Sequence, residues 1–144
     1  MNYTLSNVVD SIAGVLSHFK YEVYDSSMQQ EVETPCFFIS MMPSSSEMEI
    51  DSITRNELAL DVVFLQRPNI EEAMENVYEI IEYLDENLDT FAYTDGTLLH
   101  TYERQYHMEK MDLHYQFKIK VRCRIDREVN LMQTLEGLNY EIKR

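Results

Sequence analysis

The chain has 144 residues, a formal net charge of −14, and only three glycines, three prolines and two cysteines. That length suits one domain with one core, and so little glycine and proline argues against low-complexity disorder. No apolar run approaches the roughly 20 residues that would span a bilayer, and the N-terminus has no basic region of a signal peptide, so cytoplasmic synthesis is expected.

Residues 5–19 read as a helix. Leu5, Val8, Val9, Ile12, Val15, Leu16 and Phe19 recur at three- and four-residue steps, and Thr4 is placed to cap them. Residues 21–25 alternate as a short strand, followed by a polar, acidic stretch from Asp25 to Thr34. Pro35 to Met42 (PCFFISMM) is short, aromatic and bounded by prolines, which predicts a strand buried on both faces. The next segment, PSSSEMEIDS, reads as a mobile serine-rich loop.

Residues 53–66 form a long strand on this reading. Leu58, Leu60, Val62 and Phe64 point one way, and Glu57, Ala59, Asp61 and Val63 the other. Residues 70–88 follow as a second helix with Ile70, Ala73, Met74, Val77, Ile80, Ile81, Leu84 and Leu88 on its apolar face. Thr94-Asp95-Gly96 signals a turn, residues 97–109 a strand, and Glu109 to Asp112 a tight turn. Residues 113–125 alternate most clearly: Leu113, Tyr115, Phe117, Ile119, Val121, Cys123 and Ile125 against His114, Gln116, Lys118, Lys120, Arg122 and Arg124. The expected architecture is α+β: an antiparallel β-sheet with two helices packed on one face, in a single domain over 1–127. Residues 128–144 form a charged tail with a few apolar anchors, expected to order against a neighbour.

No phosphate loop, nucleophile elbow or zinc-protease motif is present, so no catalytic or cofactor-binding residue is assigned. His100, His107 and His114 recur at an odd step of seven, which turns them to alternating faces. The hairpin turn can still set His107 opposite His114, but two histidines fall short of the three ligands a metal site requires, and none is expected. Cys36 and Cys123 lie in apolar runs without metal or disulfide spacing, which predicts buried, reduced thiols.

Charge is the more informative pattern. Residues 1–103 sum to −17 and residues 104–144 to +3. An acidic chain disfavours nucleic acid as a partner. Glu71, Glu72, Glu75, Glu79, Glu82, Asp85, Glu86 and Asp89 crowd the second helix and its end without a compensating cation. They read first as a solvated face, and second as a surface for a basic partner. Lys118, Lys120, Arg122 and Arg124 share one strand face. Either Glu57 and Asp61 neutralise them across the sheet, or they meet an acidic surface of a neighbouring copy. For that contact the acidic candidates are Glu75, Glu79, Glu82 and Glu86, or Glu47, Glu49 and Asp51 in the serine-rich segment.

These elements, in this order, resemble the tail terminator family of long-tailed phages and prophages of Gram-positive bacteria. The likeness rests on the opening helix VVDSIAGVLSHF, the strand Thr34-Pro35-Cys36-Phe37-Phe38-Ile39, and the strand from Arg55 to Leu65. An acidic helix, a closing strand from Tyr115 to Cys123 and the Met132-Gln133-Thr134-Leu135 tail complete it. The sequence departs from the family pattern in PSSSEMEIDS and TFAYTDG. The resemblance implies a non-enzymatic virion protein without a cofactor. Such proteins form a ring, commonly a hexamer, on the tail tube, stop its polymerisation and offer a surface to the neck. Its partners would be itself, the tube protein and a neck or connector protein. Another head–tail completion protein, or a ligand-binding module unrelated to phages, are the competing readings; the latter requires a preformed apolar pocket.

Overall fold

The computed structural model describes residues 3–25, 33–49, 53–66 and 73–124. The proposed tail after residue 127 lies outside the described residues. Helix α1 (Leu5–Leu16) starts where Thr4, in extended conformation, accepts the Asn7 N–H on its side chain at 3.1 Å. Val8, Ile12 and Leu16 form its buried stripe, one turn apart. The helix stops earlier than residue 19 because the chain tightens into a 3-10 turn, Ser17–Phe19, ended by Lys20 at φ 60°.

Six strands follow: β1 (Glu22–Asp25), β2 (Cys36–Met48), β3 (Ile53–Leu65), β4 (Thr90–Ala92), β5 (Leu98–Glu109) and β6 (Asp112–Arg124), with helix α2 (Ala73–Asn87) between β3 and β4. They form one curled sheet in the order β1-β2-β3-β6-β5-β4. The sheet is mixed, which corrects the all-antiparallel expectation: β1 pairs parallel with β2, and the other pairs are antiparallel. Alternation reports which face a side chain takes and carries no strand direction, so a short strand followed by a long polar connection reads alike in either sense.

The serine-rich segment departs in part from its reading as a loop, since Pro43–Met48 belong to β2, while residues 50–52 lie outside the described residues. The ladder slips between Met42 and Ser45, a bulge that accommodates a proline with no N–H to donate. Ser44 Oγ repairs it. It accepts the Ala59 N–H at 2.9 Å and donates to the Met42 carbonyl at 2.9 Å. Past the bulge, Ser46 hydrogen-bonds the Asn56 side chain at 2.5 Å. Serine here replaces missing ladder bonds and does not mark a mobile loop. Nor is β2 buried on both faces throughout: Cys36 and Phe37 are buried, Phe38 is partly exposed and Met41 is exposed.

One cluster of buried residues unites both helices with the sheet. Ile12 and Leu16 of α1 and Val77, Ile80 and Leu84 of α2 join Leu58, Leu60, Val62, Phe64, Phe117, Ile119 and Val121, with Ile81 at its margin. Tyr83 Oη donates to the Val15 carbonyl at 3.3 Å, and Tyr93 Oη accepts the Thr4 N–H at 2.9 Å. The unforeseen strand β4 brings Phe91 and Tyr93 into this core. Beyond it, Asp95 accepts the Thr97 N–H and Gly96 takes φ 91°, the turn foreseen at Thr94-Asp95-Gly96. No helix among the described residues is long and apolar enough to cross a membrane.

Phe64 is 1% exposed and packs 5.2 Å, ring to ring, from Phe37. Truncation to alanine is expected to lower unfolding stability by about 3–5 kcal/mol, read as a shift of the urea midpoint. Cys36 and Cys123 are free and buried, and burial pushes both thiols above their ordinary pKa. Both are expected to react with a thiol reagent only after denaturation. Rapid labelling of the native protein would contradict this packing.

Candidate functional site

The face of β6 turned from the core carries His114, Gln116, Lys118, Lys120 and Arg122, opposite Val63, Asp61, Ala59, Glu57 and Arg55 of β3. Each described cation of this row finds a carboxylate within the subunit. Lys120 Nζ lies 3.5 Å from Glu57, as expected from sequence, and 5.4 Å from the centre of the Tyr102 ring. Lys118 Nζ lies 2.7 Å from Glu103. Arg122 and Arg55 oppose each other, a like-charge pair that Glu49 bridges by contacting both, while Glu47 adds a 2.5 Å contact to Arg55. Glu47 and Glu49 are therefore engaged within their own chain. The Arg124 side chain and Asp51 lie outside the described residues.

A bulge brings Glu103 to its partner. The β5–β6 register shifts between Tyr102 and Gln105, and Glu103 takes φ 51°. Bulges re-aim side chains in this way. Next to it Arg104 pairs with Asp89, which lowers the Asp89 carboxyl pKa. The acids of α2 are arranged differently. Glu75, Glu79, Glu82 and Glu86 are all exposed, and none forms a salt bridge among the described residues. Asp85 instead accepts the buried Tyr115 hydroxyl at 2.6 Å, and burial followed by this carboxylate pushes the phenol pKa up.

At the other end of the same face the hairpin closes through Lys110 and Met111, both with positive φ. His107 stands opposite His114, as the turn suggested, with ring centres 5.1 Å apart and planes 7° from parallel. His114 Nδ1 lies 2.8 Å from Asp61 Oδ2, and its Nε2 lies 3.5 Å from Glu109 Oε2. Asp61 is 8% exposed, and its Oδ1 has no hydrogen-bond partner among the described residues. Asp61 thus pairs with the histidine and not with the basic row. Sequence reasoning missed Glu109 and Asp61 here. Glu109 was legible as the i+2 neighbour of His107 on one strand face; Asp61 required the β3–β6 register.

Chemically, this face offers ion pairing and metal ligation. The Nε2 of the Asp61–His114 pair meets a carboxylate, not a hydroxyl or thiol to activate. A depression of about 330 Å³ is walled by Glu103, Arg104, Gln105, Gln116 and Lys118. Met42, Ala59 and Phe117 complete its lining, so the walls mix polar and apolar groups.

A family model described as phage tail terminator protein matches residues 7–130. No curated protein matches the chain.

Asp112 faces Glu109 across the end of the hairpin. Burial raises its pKa, and Glu109 adds to the rise against the Gln66 backbone N–H and His114, which lower it. A carboxyl raised in the folded state binds its proton more tightly there, so its ionisation destabilises the fold above the carboxylate range. In EDTA, Asp112→Asn should melt above the parent near neutral pH, and the gap should close as the pH falls through that range. A gap that persists in acid would show the effect is not ionisation.

Proposed function

The chain belongs to the phage tail terminator family, and from that premise we propose that it caps the tail tube, stops its polymerisation and provides the joining surface for the head and neck. The carrying observation is the family match over most of the chain. The family is one of structural tail proteins, which makes this a virion tail component. The capping unit is a closed ring of identical subunits, six-fold by the resemblance, and its partners are the tube protein and a neck protein.

A closed ring sets one surface of each subunit against a different surface of the next. The exposed acids of α2 and the basic row of β6 suit such a contact. This reading places both helices on the core face of the sheet, as their shared core cluster supports. The acids of α2 then point away from the outer sheet face that bears Lys118, Lys120 and Arg122. Lys118, Lys120 and Arg122 keep 47%, 54% and 62% side-chain exposure in their internal pairs. Exposed pairs of this kind contribute about 0–1 kcal/mol, so exchanging partners at an interface costs little. Complementary charge then speeds encounter and fixes register more than it adds affinity.

Negative-stain microscopy of the protein mixed with polymerising tube protein tests the role. Caps on tube ends and shortened tubes are expected, and tubes of unchanged length without caps would exclude it. The charge contact has its own test. Glu79→Lys with Glu82→Lys touches no salt bridge among the described residues, so the variant should keep its circular dichroism while losing the ring by sedimentation. Adding Lys120→Glu and Arg122→Glu should restore assembly in part. A ring indifferent to the α2 reversal at every salt concentration would assign these acids to solvation alone.

A further inference from the structure

We propose that the end of the β5–β6 hairpin binds one transition-metal dication of the zinc class, held by His107, Glu109 and His114, with Asp61 positioning His114. Three observations converge. First, one donor atom from each of His107, Glu109 and His114 lies within 4.8 Å of the others. Around zinc, with bonds near 2.0–2.1 Å, tetrahedral donors sit about 3.3 Å apart. His114 Nε2 and Glu109 Oε2 are already 3.5 Å apart. His107 and Glu109 are exposed, so side-chain rotation alone closes the remaining distance.

Second, the partner needed behind a ligating histidine is in place. A metal-bound imidazole uses one ring nitrogen and donates the other ring N–H, typically to a carboxylate that fixes tautomer and orientation. His114 turns Nε2 toward Glu109 and Nδ1 toward Asp61 Oδ2 at 2.8 Å. Asp61 comes from a different strand and is buried, its side chain 12% exposed, with its second oxygen unpartnered among the described residues. A buried carboxylate in that condition is costly unless positive charge lies close by. A dication on the far side of the imidazole supplies it.

Third, the local charge favours a cation. Glu109 and Asp112 are directly paired at the hairpin end, and like charges in that position repel. Imidazole with carboxylate selects zinc, copper or nickel over magnesium and calcium, which prefer an all-oxygen shell. Three protein ligands leave a fourth position for water or for a donor from a neighbouring chain. The metal would fasten the exposed end of β5 to β6 and, through Asp61, to β3.

The test uses the full chain stripped with EDTA and dialysed into a non-chelating buffer near neutral pH. Zinc titrated by calorimetry should saturate at one equivalent, and cobalt should give the visible absorption of a tetrahedral site. His107→Gln and Glu109→Gln alter exposed side chains and should fold as the parent, each weakening zinc about tenfold or more. Asp61→Asn should weaken it by about 10–100-fold while the cobalt spectrum at saturation keeps its shape, since Asp61 positions a ligand without being one. Magnesium in excess should not compete. The proposal is overturned by the absence of saturable binding, or by stoichiometric binding that survives the His107→Gln, Glu109→Gln pair in a folded protein.

Discussion

The antiparallel pairing of β3 with β6 runs unbroken from Ile53 opposite Arg124 to Phe64 opposite Leu113, and the rest of the molecule is arranged around it. On one side Leu58, Leu60, Val62 and Phe64 meet Ile119, Phe117, Tyr115 and Leu113, which share one buried cluster with residues of both helices. On the other side Glu57 meets Lys120, Asp61 reaches His114, and Arg55 and Arg122 share Glu49. A slip of one residue would exchange the two sets, burying a row of lysines and exposing the aromatic core. The core therefore fixes the register, and the register fixes which charges face one another. Surface charge pairing and folding stability are coupled through a single strand pair.

That coupling explains how so acidic a chain tolerates its own charge. The cations are concentrated on and beside β6, where Lys118 is matched by Glu103 of β5, Lys120 by Glu57 of β3 and Arg122 by Glu49 just past β2. The surplus is left on the exposed side of α2, where repulsion between neighbours costs only tenths of a kcal/mol per pair. Internal neutralisation and a charged interface are not exclusive. A lysine half in water holds its partner loosely, so its internal pair adds little stability.

Much of the fold was legible because alternation and helical periodicity report burial directly. The Thr4 cap, the buried centres of both helix stripes, the described inward set of β3 and β6, the turn at Gly96 and the meeting of His107 with His114 all follow from local pattern. Leu5 and Met74 of the expected stripes are exposed, and Ile70 and the Ala73 side chain lie outside the described residues. What escaped the sequence is of another kind. The parallel sense of β1 was invisible because face alternation is the same in both directions. Pro43 and three serines read as a loop because their polar side chains resemble loop chemistry, when Ser44 was standing in for a ladder bond. Ala59, Asp61 and Val63 were assigned to the face turned from Leu58, Leu60, Val62 and Phe64, and their burial, which alternation does not report, shows that this central strand is shielded on both sides. Asp61 mattered most, because only its burial shows that its pairing with His114 is more than a surface contact.

The hairpin formed by β5 and β6 carries the final consequence. From Glu103 to Glu109 every residue of β5 is exposed, and β4 covers only the stretch around Leu98 to His100. A long uncovered strand edge is a template for unwanted pairing, which proteins suppress with charge and with bulges. Both devices are present. The bulge at Glu103 breaks the flat edge, and Glu103, Arg104 and Glu109 decorate it. Charge and backbone irregularity together guard this edge against indiscriminate pairing. The turn at Lys110–Met111 closes the hairpin, and the stacked rings of His107 and His114 with the contact between His114 and Glu109 tie its two strands together at that end.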